Sequence, residues 1–347
     1  MLDFIIVGQG IAGSLLSWFL HKAGKKNLVV DNHHLSNASR VASGVTNPVT
    51  GRRFVKTWMA EEILPFAKET YTELEQVLNE TFFQPLPILR LFDSIKSQND
   101  WSTRTSQQGY TPFLQNQTVI NLPKEKVKND FGAFEITGGT RLDSEKFLAA
   151  YRNFLQAHQQ IMEEQFCFEE LEITASHVQY KEHVAKKIIF CDGAQAIQNP
   201  YFKFLPFQLA KGECLILQIE DFSADKMISS EAFVMPMGND LYYVGSTHDW
   251  HFHNDQPSEE GKQELLANLD AFIKTPYKIV NHRAAIRPTV QDRRPFIGFH
   301  PEHTAVGIFN GLGTKGISLA PYFANHFTQH LTQNTALLPE VDIKRFS

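Results

Sequence analysis

Phe4-Ile5-Ile6-Val7-Gly8-Gln9-Gly10-Ile11-Ala12-Gly13 stands near the start of the chain and decides its fold class. The four leading residues form a continuous apolar run, the pattern of a parallel strand buried on both faces. Gly8, Gly10 and Gly13 then follow in G-x-G-x-x-G spacing. Gly8 permits a tight turn, Gly10 lets a pyrophosphate approach the backbone, and Gly13 lets helix and strand pack closely. Ile11 to Ala23 predicts a helix with Leu15, Leu16, Phe19 and Leu20 on one face and Gly24 as its stop. Leu28-Val29-Val30 predicts a second buried strand, closed by Asp31 and Asn32.

This order of strand, glycine turn, helix, strand and acid reads as a dinucleotide site. The first-turn N–H groups of Ile11 and Ala12 and the positive helix end attract phosphates. Asp31 is placed to accept from ribose hydroxyls, with Asn32 beside it, and would repel an NADP 2′-phosphate. The spacing alone does not separate FAD from NAD, and a purely structural glycine-rich turn is the bland alternative.

Working outward, Ser36 to Arg53 reads as an ordered loop, Lys56 to Leu78 as a helix, and residues 80–138 as short β-prone pieces between Pro and Gly breaks. Asp143 to His158 is a helix pattern with Ser144 as a candidate cap. Phe166 to Ile189 reads as several strands, and Ile188 to Cys191 as a buried strand ending in Asp192-Gly193. Alternation from Cys214 to Thr247 predicts antiparallel strands with Gly238-Asn239 as a turn. Ser258 to Lys274 reads as a helix, Ala305 to Phe309 as a last buried strand, and Gly313 to Leu331 as the last long helix, with Pro321 in its early turns. The implied fold class is α/β (α+β): a Rossmann-like FAD/NAD(P)-binding lobe from 1–80, 139–205 and 285–347, interleaved with an antiparallel β-rich substrate lobe from 81–138 and 206–284.

Bulk properties narrow the function classes. The chain has 347 residues, 42% hydrophobic and 20% charged, with 28 Phe pointing to aromatic-rich packing. A formal net charge of −5 with dispersed Lys and Arg gives no footprint for nucleic acid or anionic membrane. Three cysteines, none in a Cys-x-x-Cys pair, argue against a disulfide framework or zinc ribbon. No signal-peptide pattern and no run of about 18 apolar residues is found, so a cytoplasmic protein without a membrane span is expected. His248, His251 and His253 with Asp249 fit no standard zinc spacing and read as loop residues, so no metal is expected.

Further segments carry a family resemblance. The loop Ser39-Arg40-Val41-Ala42-Ser43-Gly44 stands beside the fingerprint. Arg287-Pro288-Thr289-Val290-Gln291-Asp292-Arg293-Arg294-Pro295-Phe296-Ile297-Gly298 has the form R-P-x-x-x-D-x-x-P-x-I-G, and Asn310 to Pro321 makes a Gly-rich turn into the last helix. Weaker matches are Gly138 to Asp143, Lys211-Gly212-Glu213 and Gly245-Ser246-Thr247. Together these resemble the D-amino acid oxidase superfamily, in its glycine oxidase and sarcosine oxidase branch, with features of the MnmC-type tRNA-modifying enzymes. The resemblance implies non-covalent FAD, since no cysteine follows Cys214. It implies oxidation of the C–N bond of a small amine or amino acid by hydride transfer to flavin. An MnmC-like action on a modified tRNA base and a non-catalytic flavin-binding subunit are the competing readings. The chain departs from the family pattern at Lys211, where Arg is common, and in the loop Thr46 to Arg53.

The resemblance also implies site residues. Arg287 would clamp a substrate carboxylate, with Arg283 a lesser candidate; the bland reading is an Arg that orders the Pro288 turn or pairs with Asp292. Gly311, Gly313, Thr314, Lys315 and Gly316 would meet the flavin at a helix N-terminus, Lys315 adding a full charge. Arg40, Ser43, Gly44, Asp192 and Gly193 would line the cofactor. Phe233, Tyr242, Tyr243 and Arg52 would face the substrate, although strand aromatics are commonly only core.

Overall fold

The computed structural model describes residues 1–34, 37–51, 53–114, 120, 122–174, 176–222 and 224–346. Two large sheets organise them. The first has eight strands. Its centre is parallel, with Ile161–Met162, Asn27–Val30, Leu2–Val7, His183–Phe190 and Val306–Asn310 side by side in that order. Phe296–Phe299 runs antiparallel against Val306–Asn310, and the meander Leu171–Ile173 and Val178–Tyr180 folds onto the first half of His183–Phe190. Four helices cover one face: Ile11–Lys22, Ala60–Leu78, Ser144–Ala157 and Gly316–Gln333. Leu15, Phe19, Tyr71, Phe147, Phe323 and Phe327 meet between them. Phe166, Tyr180, Phe190 and Phe202 fill the other face, Phe166 stacking on Tyr180 at 4.5 Å. Much of the phenylalanine content resides in this double-sided core, and Phe54, Phe92, Phe113 and Phe134 form part of a separate one against the second sheet.

The second sheet has seven strands, in the order Lys278–Arg287, Ala210–Gln218, Leu241–Gly245, Phe233–Gly238, Met227–Ser229, Ile88–Leu91 and Ala133–Ile136. Its pairs are antiparallel except Met227–Ser229 with Ile88–Leu91. Phe233–Gly238 and Leu241–Gly245 form a hairpin whose two loop residues, Asn239 and Asp240, both have left-handed φ (53° and 56°), as a type I′ turn requires. Gly238 still pairs with Leu241, so the turn sits one residue later than Gly238-Asn239.

Other local expectations also shift. Ser144 is the first residue of its helix, and Asp143 is the cap, accepting from Lys146 N at 3.1 Å. The helix expected from Lys56 starts at Ala60, because Met59 is left-handed and Val55–Lys56 pairs as a short strand with Val49–Thr50. Within 80–138 lies a helix, Ile95–Thr105, with a Ser94–Ser97 capping box. It buries only Trp101 and Thr105, so it leaves no apolar stripe to read.

The last helix is set by an internal proline. Pro321 has no N–H, which leaves the Ile317 carbonyl without its intrahelical donor. The buried Tyr71 hydroxyl donates to that carbonyl at 2.8 Å. Gly316 lies against the start of the first helix, where a Cβ would sit 3.2 Å from Ile11 Cγ2. Among the described residues no helix is long and apolar enough to cross a membrane.

Candidate active site

One cavity of about 900 Å³ runs between the two sheets, near the upper end of the ~300–1,000 Å³ range of cofactor sites. Gly8, Gly10, Ile11 and Ala12 line it, as do Gly313, Thr314, Gly316 and Ile317. Gly212, Phe233, Tyr243 and Arg287 of the second sheet share the same space. The glycine turn and the start of the last helix are thus walls of a single cleft.

The turn is built from main chain. Gly8 has φ +100°, and a Cβ there would stand 2.6 Å from the Cys191 carbonyl oxygen. Gly13 faces away from the cavity, and a Cβ there would overlap the Gly8 carbonyl. Gly10 caps the first helix with no side-chain bond, so the first-turn N–H groups have no intrahelical acceptor. Ile11 N donates to Ser39 Oγ at 3.0 Å.

Asp31 and Asn32 follow on the cavity wall. Asp31 Oδ1 accepts from Arg152 Nη1 (2.8 Å) and His33 N (2.8 Å), and Oδ2 accepts from Gln9 N (2.8 Å). A carboxylate has about four acceptor sites, so Oδ2 retains one for a hydroxyl. Arg152 also donates to Gln9 Oε1 at 3.0 Å and Glu163 Oε1 at 2.8 Å. Sequence reading did not find this buried arginine. The signal was there: a charge in the stripe of Phe147, Leu148, Tyr151 and Leu155 that buries one face of its helix.

Asp192 and Gly193 also line the cavity. Burial pushes the Asp192 carboxyl up to about 6, against the opposing effect of hydrogen bonds from Asn199 and Asn310. Ser43 is on the wall, whereas Arg40, Gly44 and Gly311 are not. Arg40 turns its Nη2 toward His33 Nδ1 (3.4 Å), and its buried Nε has no partner among the described residues. Gly44 packs where a Cβ would overlap the Leu142 carbonyl.

Lys315 departs from expectation. Its backbone belongs to the short turn Gly313–Lys315 ahead of the last helix, but its side chain does not line the cavity. The ammonium donates to Thr57 Oγ1 at 2.7 Å, and burial, then the charge of Arg293, lower its pKa to about 8. The wall at this end is therefore the backbone of Gly313, Thr314 and Gly316.

At the second sheet, alternation separates the two candidate tyrosines. Tyr243 faces the cavity, stacked on Phe233 at 5.7 Å, and its hydroxyl donates to the Val41 carbonyl at 3.2 Å. Tyr242 points to the opposite face and packs edge-on against Phe222 at 5.4 Å. It belongs to the core, because neighbouring strand residues face opposite sides. Arg52 lies outside the described residues.

Arg287 ends its strand inside the cavity. Its Nη1 donates to the Thr247 carbonyl (3.0 Å) and stands 3.4 Å from His248 Nδ1. Among the described residues it has no ion-pair partner; Asp292 pairs instead with Arg345 and Glu145 with Arg283. Desolvation, then the charges of Arg287 and Arg293, hold the His248 pKa below the usual imidazole value. His248 and His253, read from sequence as ordinary loop residues, both reach the wall. Among the described residues no group of three or more His, Cys, Asp or Glu is arranged to hold a metal ion.

Comparison with known proteins agrees with this geometry. The profile of the family described as FAD dependent oxidoreductase matches residues 3–330. A glycine oxidase of Bacillus licheniformis is 24% identical over 340 residues, covering 92% of this chain and 90% of its own. The structure of glycine oxidase from Bacillus cereus ATCC 14579 superposes with a TM-score of 0.81 at 17% identity, covering 97% of this chain and 96% of the other. That of iminodiacetate oxidase from Chelativorans sp. BNC1 gives 0.76 at 20% identity, covering 99% and 98%.

Proposed function

Because the chain belongs to the FAD-dependent oxidoreductase family, we propose that it oxidises the C–N bond of a small amine or amino acid bearing a carboxylate. The residues present fit FAD. The first turn at Gly10 to Ala12, where Ile11 N meets the Ser39 hydroxyl and no intrahelical acceptor, suits a pyrophosphate. The remaining acceptor site on Asp31 suits a ribose hydroxyl, and the backbone of Gly313, Thr314 and Gly316 suits the ring end. When bound, FAD supplies the two-electron acceptor: a hydride leaves the carbon bearing nitrogen, and water then hydrolyses the imine to a carbonyl compound and an amine.

The protein's own part is to bind, orient and enclose. Arg287, with no acidic partner among the described residues, offers its guanidinium to a planar carboxylate in a bidentate pair. Phe233 and Tyr243 give the same space an apolar wall. A substrate amine that enters neutral requires no protein base. The division into a dinucleotide lobe (1–80, 139–205, 285–347) and a substrate lobe (81–138, 206–284) is supported by the two large sheets, whose strands come from these stretches with Lys278–Arg287 crossing a boundary, while a small sheet joins the lobes by pairing Phe83–Pro85 with Thr140–Leu142.

The observation that carries this reading is the single cavity shared by the glycine turn, the last-helix start and Arg287. An anaerobic amine and amino acid screen, read by bleaching of the flavin, identifies the substrate. Arg287→Ala is expected to retain FAD and to bind carboxylates roughly 30- to 1,000-fold more weakly, the scale of removing one partner of a close charge pair. Unchanged affinity for the active compound removes the clamp.

A further inference from the structure

We propose that Gly212 and the Thr247–His248 turn form a rigid seat for the Arg287 guanidinium, which makes Gly212 and His248 positioning residues for carboxylate recognition. The inference rests on the reading of Arg287 as the clamp. Register puts Ala210 opposite Arg287 and Gly212 opposite Ala285, so the arginine side chain reaches back along its own strand to cover position 212. A Cβ on Gly212 would fall inside the guanidinium. No other residue permits this plane to rest on the strand. One edge of the plane is then pinned through Nη1 by the Thr247 carbonyl and His248 Nδ1. Nε and Nη2 have no protein partner among the described residues, which leaves that edge for the two oxygens of a ligand.

The pinning turn is itself held from behind. On Ala210–Gln218 the side chains alternate, so Gly212 faces the cavity while Lys211 and Glu213 face away from it. Thr247 N donates to the Glu213 carbonyl (3.2 Å), and Thr247 Oγ1 accepts from Glu213 N (2.9 Å). Asp249 and Lys211 exchange backbone bonds of 2.8 and 3.0 Å. The Glu213 carboxylate accepts from Ser258 N (3.0 Å) and Ser258 Oγ (2.7 Å), and pairs with Lys211 Nζ at 2.9 Å and His282 Nε2 at 2.8 Å. Lys211 and Glu213 are 4% and 2% exposed, so this grip is shielded from water. Both ends of the Thr247–Ser258 segment are thus fastened to the strand that carries Gly212. A free arginine side chain carries much rotamer entropy. A seated one has already lost much of it before the ligand arrives.

The test uses the FAD-loaded protein and propionate as probe, titrated by the change in the flavin absorbance spectrum, with flavin content and Tm as controls. Gly212→Ala is expected to keep its FAD and to bind propionate at least tenfold more weakly. The Gly212→Ala/Arg287→Ala double variant is expected to be no weaker than Arg287→Ala alone, because both changes act through one guanidinium. Additive losses, or a Gly212→Ala affinity within twofold of the parent while Arg287→Ala is weak, overturn the seat and leave the clamp standing. Unchanged binding by Arg287→Ala overturns the clamp itself. If Gly212→Ala yields no folded holoprotein, His248→Ala decides: a threefold or larger weakening supports the seat, and unchanged affinity overturns it.

Discussion

At the Gly8–Gly13 end the cavity wall is main chain: a turn, the open end of a helix, and a close contact that only hydrogen permits. At the Arg287 end it is side chain, assembled from the strands Ala210–Gln218, Phe233–Gly238, Leu241–Gly245 and Lys278–Arg287 and the segment after Gly245. The first wall comes from consecutive residues and, in the proposed function, meets what all dinucleotides share. The second comes from residues that meet only through strand register, and in the proposed function it sets what is bound beside the cofactor. Damage to the first is expected to remove the cofactor; damage to the second is expected to change affinity while the cofactor stays.

The strongest challenge to this contrast is Gly13→Val. The new side chain overlaps the Gly8 carbonyl, so the turn and the first helix cannot both keep their places. Protein purified with little or no flavin absorbance is expected, and a parental flavin-to-protein ratio would break the idea that this end depends on backbone contact. Arg152→Met sharpens the contrast, because the backbone end also leans on one side chain. It leaves Asp31 and Glu163 without their arginine, and a loss on the order of 3 kcal/mol in a denaturant titration is expected from a broken, largely buried pair. Weaker FAD retention should accompany it.

A smaller effect is expected at Lys315, and its sign is set by pH. The folded chain holds this amine at a pKa of about 8, against an ordinary 10.5. Between those values the unfolded chain binds more protons, so stability rises with pH from about 8 to 10.5. Below pH 8 this half-buried charge is a burden on the fold. Lys315→Met is therefore expected to raise Tm at neutral pH and to flatten the alkaline rise in thermal melts. A variant that keeps the parental slope would assign that rise to another group.

The sequence displayed the main-chain wall openly, because glycine spacing and a following helix are local signals that survive without knowledge of the fold. Asp192 and Gly193 were legible for the same reason, at the end of a continuous apolar strand. Side-chain walls were less so. Tyr242 and Tyr243 are adjacent and chemically alike, and only the pairing of Leu241–Gly245 with its neighbours decides which one faces the cavity. Lys315 was placed near the ring end by its backbone, but the extra turn Gly313–Lys315 sends its side chain to Thr57. Gly212 was visible only as part of a short motif. Its use becomes apparent once an arginine from the neighbouring strand lies across it.

The contact between Ile11 and Gly316 joins segments from opposite ends of the chain. During translation the glycine turn is made about 300 residues before its counterpart around Gly313 to Ile317. Over that interval the nascent chain has one wall of the cleft without the other. Under the proposed site, stable retention of the cofactor is then expected only after the last helix has docked against the first.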